Sequence, residues 1–139
     1  MPDRPDITIT VFGSSRTRPD GLVYEMAYRV GALVGAHGWT LCNGGYGGVM
    51  AASARGAREA GARTIGVTCQ VWGRAGINRF IDREVSTANL YERLQTLVDL
   101  GRAYVVLPGG TGTLLELAFV WELANKKLLN RRPIVLVGD

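Results

Sequence analysis

Two cysteines, two lysines and one histidine are few for a chain of 139 residues, and each scarcity removes a class of chemistry. Cys42 and Cys69 stand far apart with no CxxC, so neither a disulfide framework nor a zinc site is expected. Both fall near predicted strand ends, where small buried thiols are common. His37, the sole histidine, sits at a predicted helix end beside Gly38, which leaves Ser-His-Asp chemistry without a base. The only lysines, Lys126 and Lys127, lie far from the glycine-rich mouth of the last helix, so a pyridoxal Schiff base has no candidate. No GK[ST] follows any glycine-rich turn, which excludes a P-loop. Asn43 ends the second predicted strand where a dinucleotide site places its ribose-binding acid, so an NAD-type cofactor is not expected. No metal-ligand set is visible either, and no cofactor is expected. Apolar runs are short and interrupted by Gly and Arg, which argues against a transmembrane helix and a membrane partner. The start, MPDRPD, lacks the apolar stretch of a signal peptide, and a cytoplasmic location is expected.

What is present reads as a soluble globular domain spanning 1–139, with 47% hydrophobic and 20% charged residues. The net charge of +4 comes mainly from arginine, which suits bidentate contact with phosphate or carboxylate. The arginines are scattered with no aromatic-interleaved stripe, so no nucleic-acid partner is expected.

Strand and helix patterns alternate. Ile7–Phe12 is a β-rich run ending in Gly13-Ser14-Ser15. Asp20 is placed to cap a helix whose apolar residues Leu22, Met26, Val30, Leu33 and Val34 recur at helical spacing and which stops at His37-Gly38. Trp39–Asn43 is a second strand, followed by Gly44-Gly45-Tyr46-Gly47-Gly48 and a small-residue helix ending at Gly61. Arg63–Thr68 is a third strand. Gln70 to Ser86 reads as irregular, and so long a loop is often functional. A helix over Asn89–Leu100 precedes a fourth, buried strand at Ala103–Pro108. The last helix continues to about Leu129, and Arg132–Gly138 is a fifth strand.

This alternation gives an α/β, doubly wound parallel sheet of about five strands, helices on both faces, with the expected order 3-2-1-4-5. Strands 1 and 4 then flank the point where the order reverses, and ligands bind there, beyond the strands' carboxyl ends. The turns at Gly13-Ser14 and at Gly109–Thr113 meet at that point. In the second of these, glycines admit an anion to the backbone amides of a helix N-terminus, and Thr111 and Thr113 add hydroxyls. Thr113-Leu114-Leu115-Glu116 also reads as a capping box, which by itself accounts for Thr113 and Glu116. The turn Gly44–Gly48 reads equally as a ligand loop and as a tight turn with close helix packing.

The stretches NGGYGGVMAASARGAREAGARTIGVT and VVLPGGTGTLLEL resemble the LOG family over nearly the whole chain. The family signature PGGxGTxxE is complete from Pro108 to Glu116, and GGxxG(L/V)M matches Gly44–Met50. The resemblance implies a single Rossmann-like nucleotide-binding domain and a phosphoribohydrolase, which cleaves the N-glycosidic bond of AMP or of cytokinin nucleoside 5′-monophosphates. It implies Gly109, Gly110, Thr111, Gly112 and Thr113 at the 5′-phosphate, Glu116 as the catalytic carboxylate and Arg93 as the essential arginine. Gly13, Ser14, Gly44, Gly45, Gly47, Gly48 and Met50 then line the nucleotide pocket, with no metal. Relatives of similar fold also include non-catalytic nucleotide and molybdopterin carriers. A homodimer is expected, with Leu90, Leu94 and Leu97 suited either to that contact or to core packing. The chain carries Arg93-Leu94 and Leu115-Glu116 where cytokinin-activating members carry Arg-Lys and Glu-Glu. It ends directly after the fifth strand, as a short or C-terminally truncated member would.

Overall fold

The structure, a computed structural model, describes residues 6–73 and 75–138; Met1–Pro5 of the polar start and the terminal Asp139 lie outside these. Six strands and four helices follow in the order β1 (Thr8–Phe12), α1 (Leu22–Ala36), β2 (Thr40–Asn43), α2 (Val49–Glu59), β3 (Thr64–Cys69), β4 (Arg83–Thr87), α3 (Leu90–Leu100), β5 (Ala103–Val106), α4 (Thr111–Asn125) and β6 (Ile134–Leu136). All pairings are parallel, in the order β4-β3-β2-β1-β5-β6. The expected order is therefore present, with one strand added at the β3 edge.

Strand periodicity divides the core into two layers. In β1, Ile9 and Val11 face a cluster with Leu41 of β2 and with Ala27, Val34, Ala52 and Ala57 of α1 and α2. Phe12 of β1 and Cys42 of β2 face the opposite cluster, where Leu97 and Val98 of α3 meet Val120 of α4. Each helix pair thus covers one side of a sheet whose central strands are buried on both faces. Parallel strands also send every carboxyl end to the same rim, so the turns after β1, β2, β3 and β5 share it.

Helices α1 and α2 touch backbone to backbone. A Cβ on Gly31 would overlap the Ser53 carbonyl and stand 2.8 Å from Ala57 N; one on Gly56 would overlap the Tyr28 carbonyl. Neither neighbour can rotate away, because both are helix backbone. Gly31→Ala is expected to destabilise the fold by about 3 kcal/mol, against a helix-propensity gain of only about 1 kcal/mol. The midpoint of denaturant unfolding measures it, and an unchanged midpoint would show that the helices part without cost.

The structure corrects the sequence reading at several points. Residues 70–86 are not wholly irregular: they hold a 3-10 turn at Gln70–Trp72 and most of β4. β4 escaped notice because an edge strand is half-covered, and its sequence, REVST, has no apolar run. Gly21, not Asp20, is the N-cap of α1. Thr113 and Glu116 form no capping box, because α4 begins three residues earlier than a Thr113 cap would start it, with Gly110 as its N-cap. Helix α4 ends at Asn125 rather than near Leu129. Leu97 is fully buried and Leu94 packs against the second core cluster, so of the three leucines considered for a contact surface only Leu90 is exposed. Among the described residues no helix is long and apolar enough to cross a membrane.

Candidate functional site

The loop after β1 and the start of α4 are locked together. Ser14 N donates to the Pro108 carbonyl at 3.1 Å, and the Ser14 carbonyl accepts from Val49 N at 2.8 Å. This fixes the first turn against both α4 and α2. A Cβ on Gly109 would overlap Thr113 Oγ1 and stand 2.8 Å from Ser14 N, so glycine is what permits the approach. Gly48, at φ +62°, performs the same service against the Ser14 carbonyl. In α4 the first intrahelical donor is Leu114, whose N–H reaches the Gly110 carbonyl at 3.0 Å. The amides of Thr111, Gly112 and Thr113 precede it and point out of the helix end. They form an anion-binding geometry beside Ser14, Ser15 and Arg16.

Arg93 of α3 crosses to the ends of β2 and β3. Its Nε donates to the Val67 carbonyl at 2.8 Å and one Nη to the Gly44 carbonyl at 3.1 Å. The guanidinium lies over Trp72, 4.9 Å from the ring centroid, and 5.7 Å from that of Tyr46. A Cβ on Gly44 would occupy the place of that Nη, so Gly44 is the gap through which Arg93 enters. No buried side-chain nitrogen or oxygen among the described residues lacks a partner, and the second Nη bonds to no described protein atom. That amino group therefore opens onto the cavity, with two donors available.

Glu116 lies on the second turn of α4, one turn beyond Thr113 and on the same side of the helix. Burial pushes its carboxyl up to about 7, and the Arg93 guanidinium pulls the other way. Burial likewise lowers Arg93, with Glu116 holding it up. Each group is desolvated and each partly compensates the other through space. Leu115, about 100° further round the helix, points outward with 59% of its surface exposed. The acid of Glu-Glu relatives would thus stand outside the cavity here. Cys42, also near Arg93, is pushed up to about 12 by burial, so it stays a neutral thiol.

The raised carboxyl has a consequence for folding. A native value near 7 exceeds the ordinary 4.5, so the folded chain holds a proton that the unfolded chain releases. The associated stability is complete below pH 4.5, declines between 4.5 and 7, and is gone above. Glu116→Gln is expected to be the more stable protein at pH 8, by up to about 3 kcal/mol, and nearly equal to the native chain at pH 4. Melting curves across that range check it; parallel curves would mean that Glu116 titrates normally.

These parts border one cavity of about 610 Å³. Of the residues singled out from the sequence, Gly13, Ser14, Met50, Arg93, Glu116 and the stretch Gly110–Thr113 line it. Gly44, Gly48 and Gly109 stand behind the lining and make room for it, while Gly45, at φ +83°, turns the chain under Thr68. Gly47 packs near the Ser15 carbonyl. Sequence reasoning missed Arg16, Trp72 and Ala75 as lining residues, and Tyr46 as more than a spacer between glycines. The signal for Trp72 was there: an aromatic residue in a glycine-bounded loop directly after a strand end. Leu94 does not line the cavity.

A family model described as the SLOG cluster4 family matches residues 6–136. Two proteins named cytokinin riboside 5′-monophosphate phosphoribohydrolase are each 38% identical to the chain. That of Mycobacterium marinum aligns over 93% of this chain and 70% of its own length, and that of Mycobacterium tuberculosis over 95% and 71%. Among solved structures, the molybdenum cofactor binding protein of Rippkaea orientalis matches with TM-score 0.77 and 28% identity, covering 99% of this chain and 79% of its own. The molybdenum cofactor carrier protein of Chlamydomonas reinhardtii matches with TM-score 0.72 and 28% identity, covering 94% and 76%.

Proposed function

We propose that this chain, which belongs to the LOG-type SLOG cluster4 family, hydrolyses the N-glycosidic bond of an AMP-like or cytokinin-like nucleoside 5′-monophosphate. The products are free base and ribose 5-phosphate. One observation carries the reading: a desolvated carboxylate, Glu116, and a desolvated guanidinium, Arg93, border the same cavity as the open amides of a helix N-terminus. The phosphate would lie on Gly110–Thr113 and Ser14, with Gly109 and Gly13 allowing its approach. That anchor holds the sugar so that remote binding energy positions C1′. As the C1′–N bond breaks, its electron pair goes to the base and C1′ gains oxocarbenium character. Glu116 stabilises that charge and takes a proton from the water whose oxygen bonds to C1′; that proton then passes to the departing base, which leaves neutral and restores the carboxylate. Arg93 directs its open Nη donors at the phosphate or at the departing base.

The test is direct. The protein is incubated with a panel of nucleoside 5′-monophosphates, and free base is measured by chromatography. Base and ribose 5-phosphate in equal amounts support the reading. Intact monophosphates across the panel, with the phosphate and Glu116 side confirmed folded, would end it.

The likeness to the two molybdenum cofactor proteins favours a second reading, a carrier that binds a nucleotide or the cofactor itself without turnover. Calorimetry would separate them: a carrier retains its ligand unhydrolysed at fixed stoichiometry. On either reading a homodimer is proposed, since α4 leaves Leu114, Leu115 and Trp121 exposed. Light scattering at twice the chain mass would support it.

A further inference from the structure

Beyond the phosphate and the reacting centre, the cavity has an aromatic wall. Trp72 and Tyr46 meet edge to face, with centroids 5.5 Å apart and planes at 84°. Tyr46 fixes this wall. Its hydroxyl accepts from Cys69 N at 3.1 Å and lies within hydrogen-bonding reach of the Cys69 and Gly73 carbonyls at 3.3 and 3.4 Å, on either side of the turn that carries Trp72. The Tyr46 carbonyl accepts from Asn78 Nδ2 at 2.7 Å, and Asn78 N donates to the Gly45 carbonyl. The turn that carries the indole is therefore fixed on both sides, and 48% of the Trp72 surface remains open. It borders a concave site, unlike a lone apolar side chain on a convex surface, which would need no explanation.

We propose that Trp72 is the specificity-determining residue for an aromatic base: a planar heterocycle stacks on its open indole surface while the phosphate occupies the start of α4. The proposal rests on the nucleotide reading above and names the part of the substrate that reading leaves unassigned. The sheet gives the spacing. Trp72 follows β3 and the phosphate turn follows β5, three strand intervals apart in the order β3-β2-β1-β5, or about 14 Å. Phosphate, ribose and base laid end to end fill such a span, and the sugar then falls over β1 and β2, between Glu116 and Arg93. Stacking tolerates different bases because each has a π-face, so the wall selects for aromaticity rather than for one hydrogen-bonding edge. Met50 and Ala75 continue it with apolar surface.

A plainer role is available to Trp72, namely holding Arg93 by its ring face. The experiment separates the two. Affinities for AMP and for ribose 5-phosphate are measured by calorimetry with Trp72, Trp72→Ala and Trp72→Phe, each combined with Glu116→Gln so that little ligand is consumed during a titration. Trp72→Ala is expected to weaken AMP roughly tenfold to a hundredfold and to leave ribose 5-phosphate unchanged, with Trp72→Phe recovering most of the loss. Equal weakening of both ligands, or an AMP loss that disappears when Arg93→Ala is already present, would assign Trp72 to Arg93 alone and overturn the proposal, as would unchanged AMP affinity or no AMP binding before the Trp72 change. Base release is measured separately on the chain with Glu116 intact. Hydrolysis that persists with AMP affinity indifferent to Trp72 sinks the stacking role and spares the enzyme. AMP bound through Trp72 but never cleaved does the reverse.

Discussion

Glu116→Gln is expected to slow base release roughly 10²- to 10⁴-fold, the range attributed to a positioned proton-transfer group. Monophosphate affinity should stay close to that of the native chain. Glutamine keeps the shape and the polarity of the side chain but can neither hold a negative charge beside C1′ nor take a proton from water. The anion end of the cavity, one helical turn earlier at Gly110–Thr113, is untouched by the change. The pH profile adds a second check. A carboxyl at about 7 must ionise to act as a base, so the native rate should rise through that pH and the variant's residual rate should not. A loss below tenfold, or a rising limb that survives the substitution, would remove Glu116 from the reaction. A large loss of affinity instead would make it a binding residue.

The second large effect is expected at a residue that touches no substrate. Gly44→Ala adds one methyl group where an Arg93 Nη now lies, 2.5 Å from Met50 Sδ as well. Both obstacles are ends of flexible side chains, and Gly44 is not among the glycines with positive φ, so the backbone accepts alanine. Arg93 must therefore leave the Gly44 and Val67 carbonyls and swing away from its aromatic bed. Displacement of a positioning group by an ångström or so is worth on the order of a hundredfold in rate, while stability should fall by about 1–3 kcal/mol as the Gly44 and Val67 carbonyls lose a charged partner. The comparison with Arg93→Ala decides the matter. If the two variants are equally slow and the double variant is no slower, Gly44 acts through Arg93. Full activity in Gly44→Ala would mean that the guanidinium has a second seat.

The glycines were legible in the sequence as a group, but their tasks were not. Position after a strand and before a helix was enough to bring Gly13, Ser14 and Gly109–Thr113 to the rim where the strand order reverses. It could not separate Gly110 and Gly112, which line the cavity, from Gly44, Gly48 and Gly109, which yield space to Arg93, to the Ser14 carbonyl and to Thr113. That distinction is a matter of which atoms stand within a bond length or two of an absent Cβ, and for Gly44 and Gly48 these come from distant parts of the chain. The capping box failed for a local reason. Thr113 and Glu116 have the right spacing for a cap, but Gly110 can begin the helix first, and the motif then falls inside α4 with Thr113 buried and Glu116 facing the cavity. β4 was hidden because pairing to β3 along one edge requires no apolar run. Arg93 lacked any signal of its own. On its helix it follows Glu92, whose carboxylate accepts from Ala88 N beside the Asn89 cap, and it reads as a solvated residue until the tertiary fold carries it across two strands.

The polarity of the sheet also sets where a reporter group can be attached. Chain attached ahead of Asp6 enters β1 at its amino end, on the rim remote from the cavity. Chain attached after Gly138 leaves from the carboxyl end of β6, where Val137 N bonds to the Val106 carbonyl at 2.8 Å and Gly138 sits against Pro108. A fluorophore at the first position would sense little of what the cavity holds. At the second it would stand beside the turn that leads from β5 into α4, close enough to register a ligand arriving in the cavity and bulky enough to obstruct it.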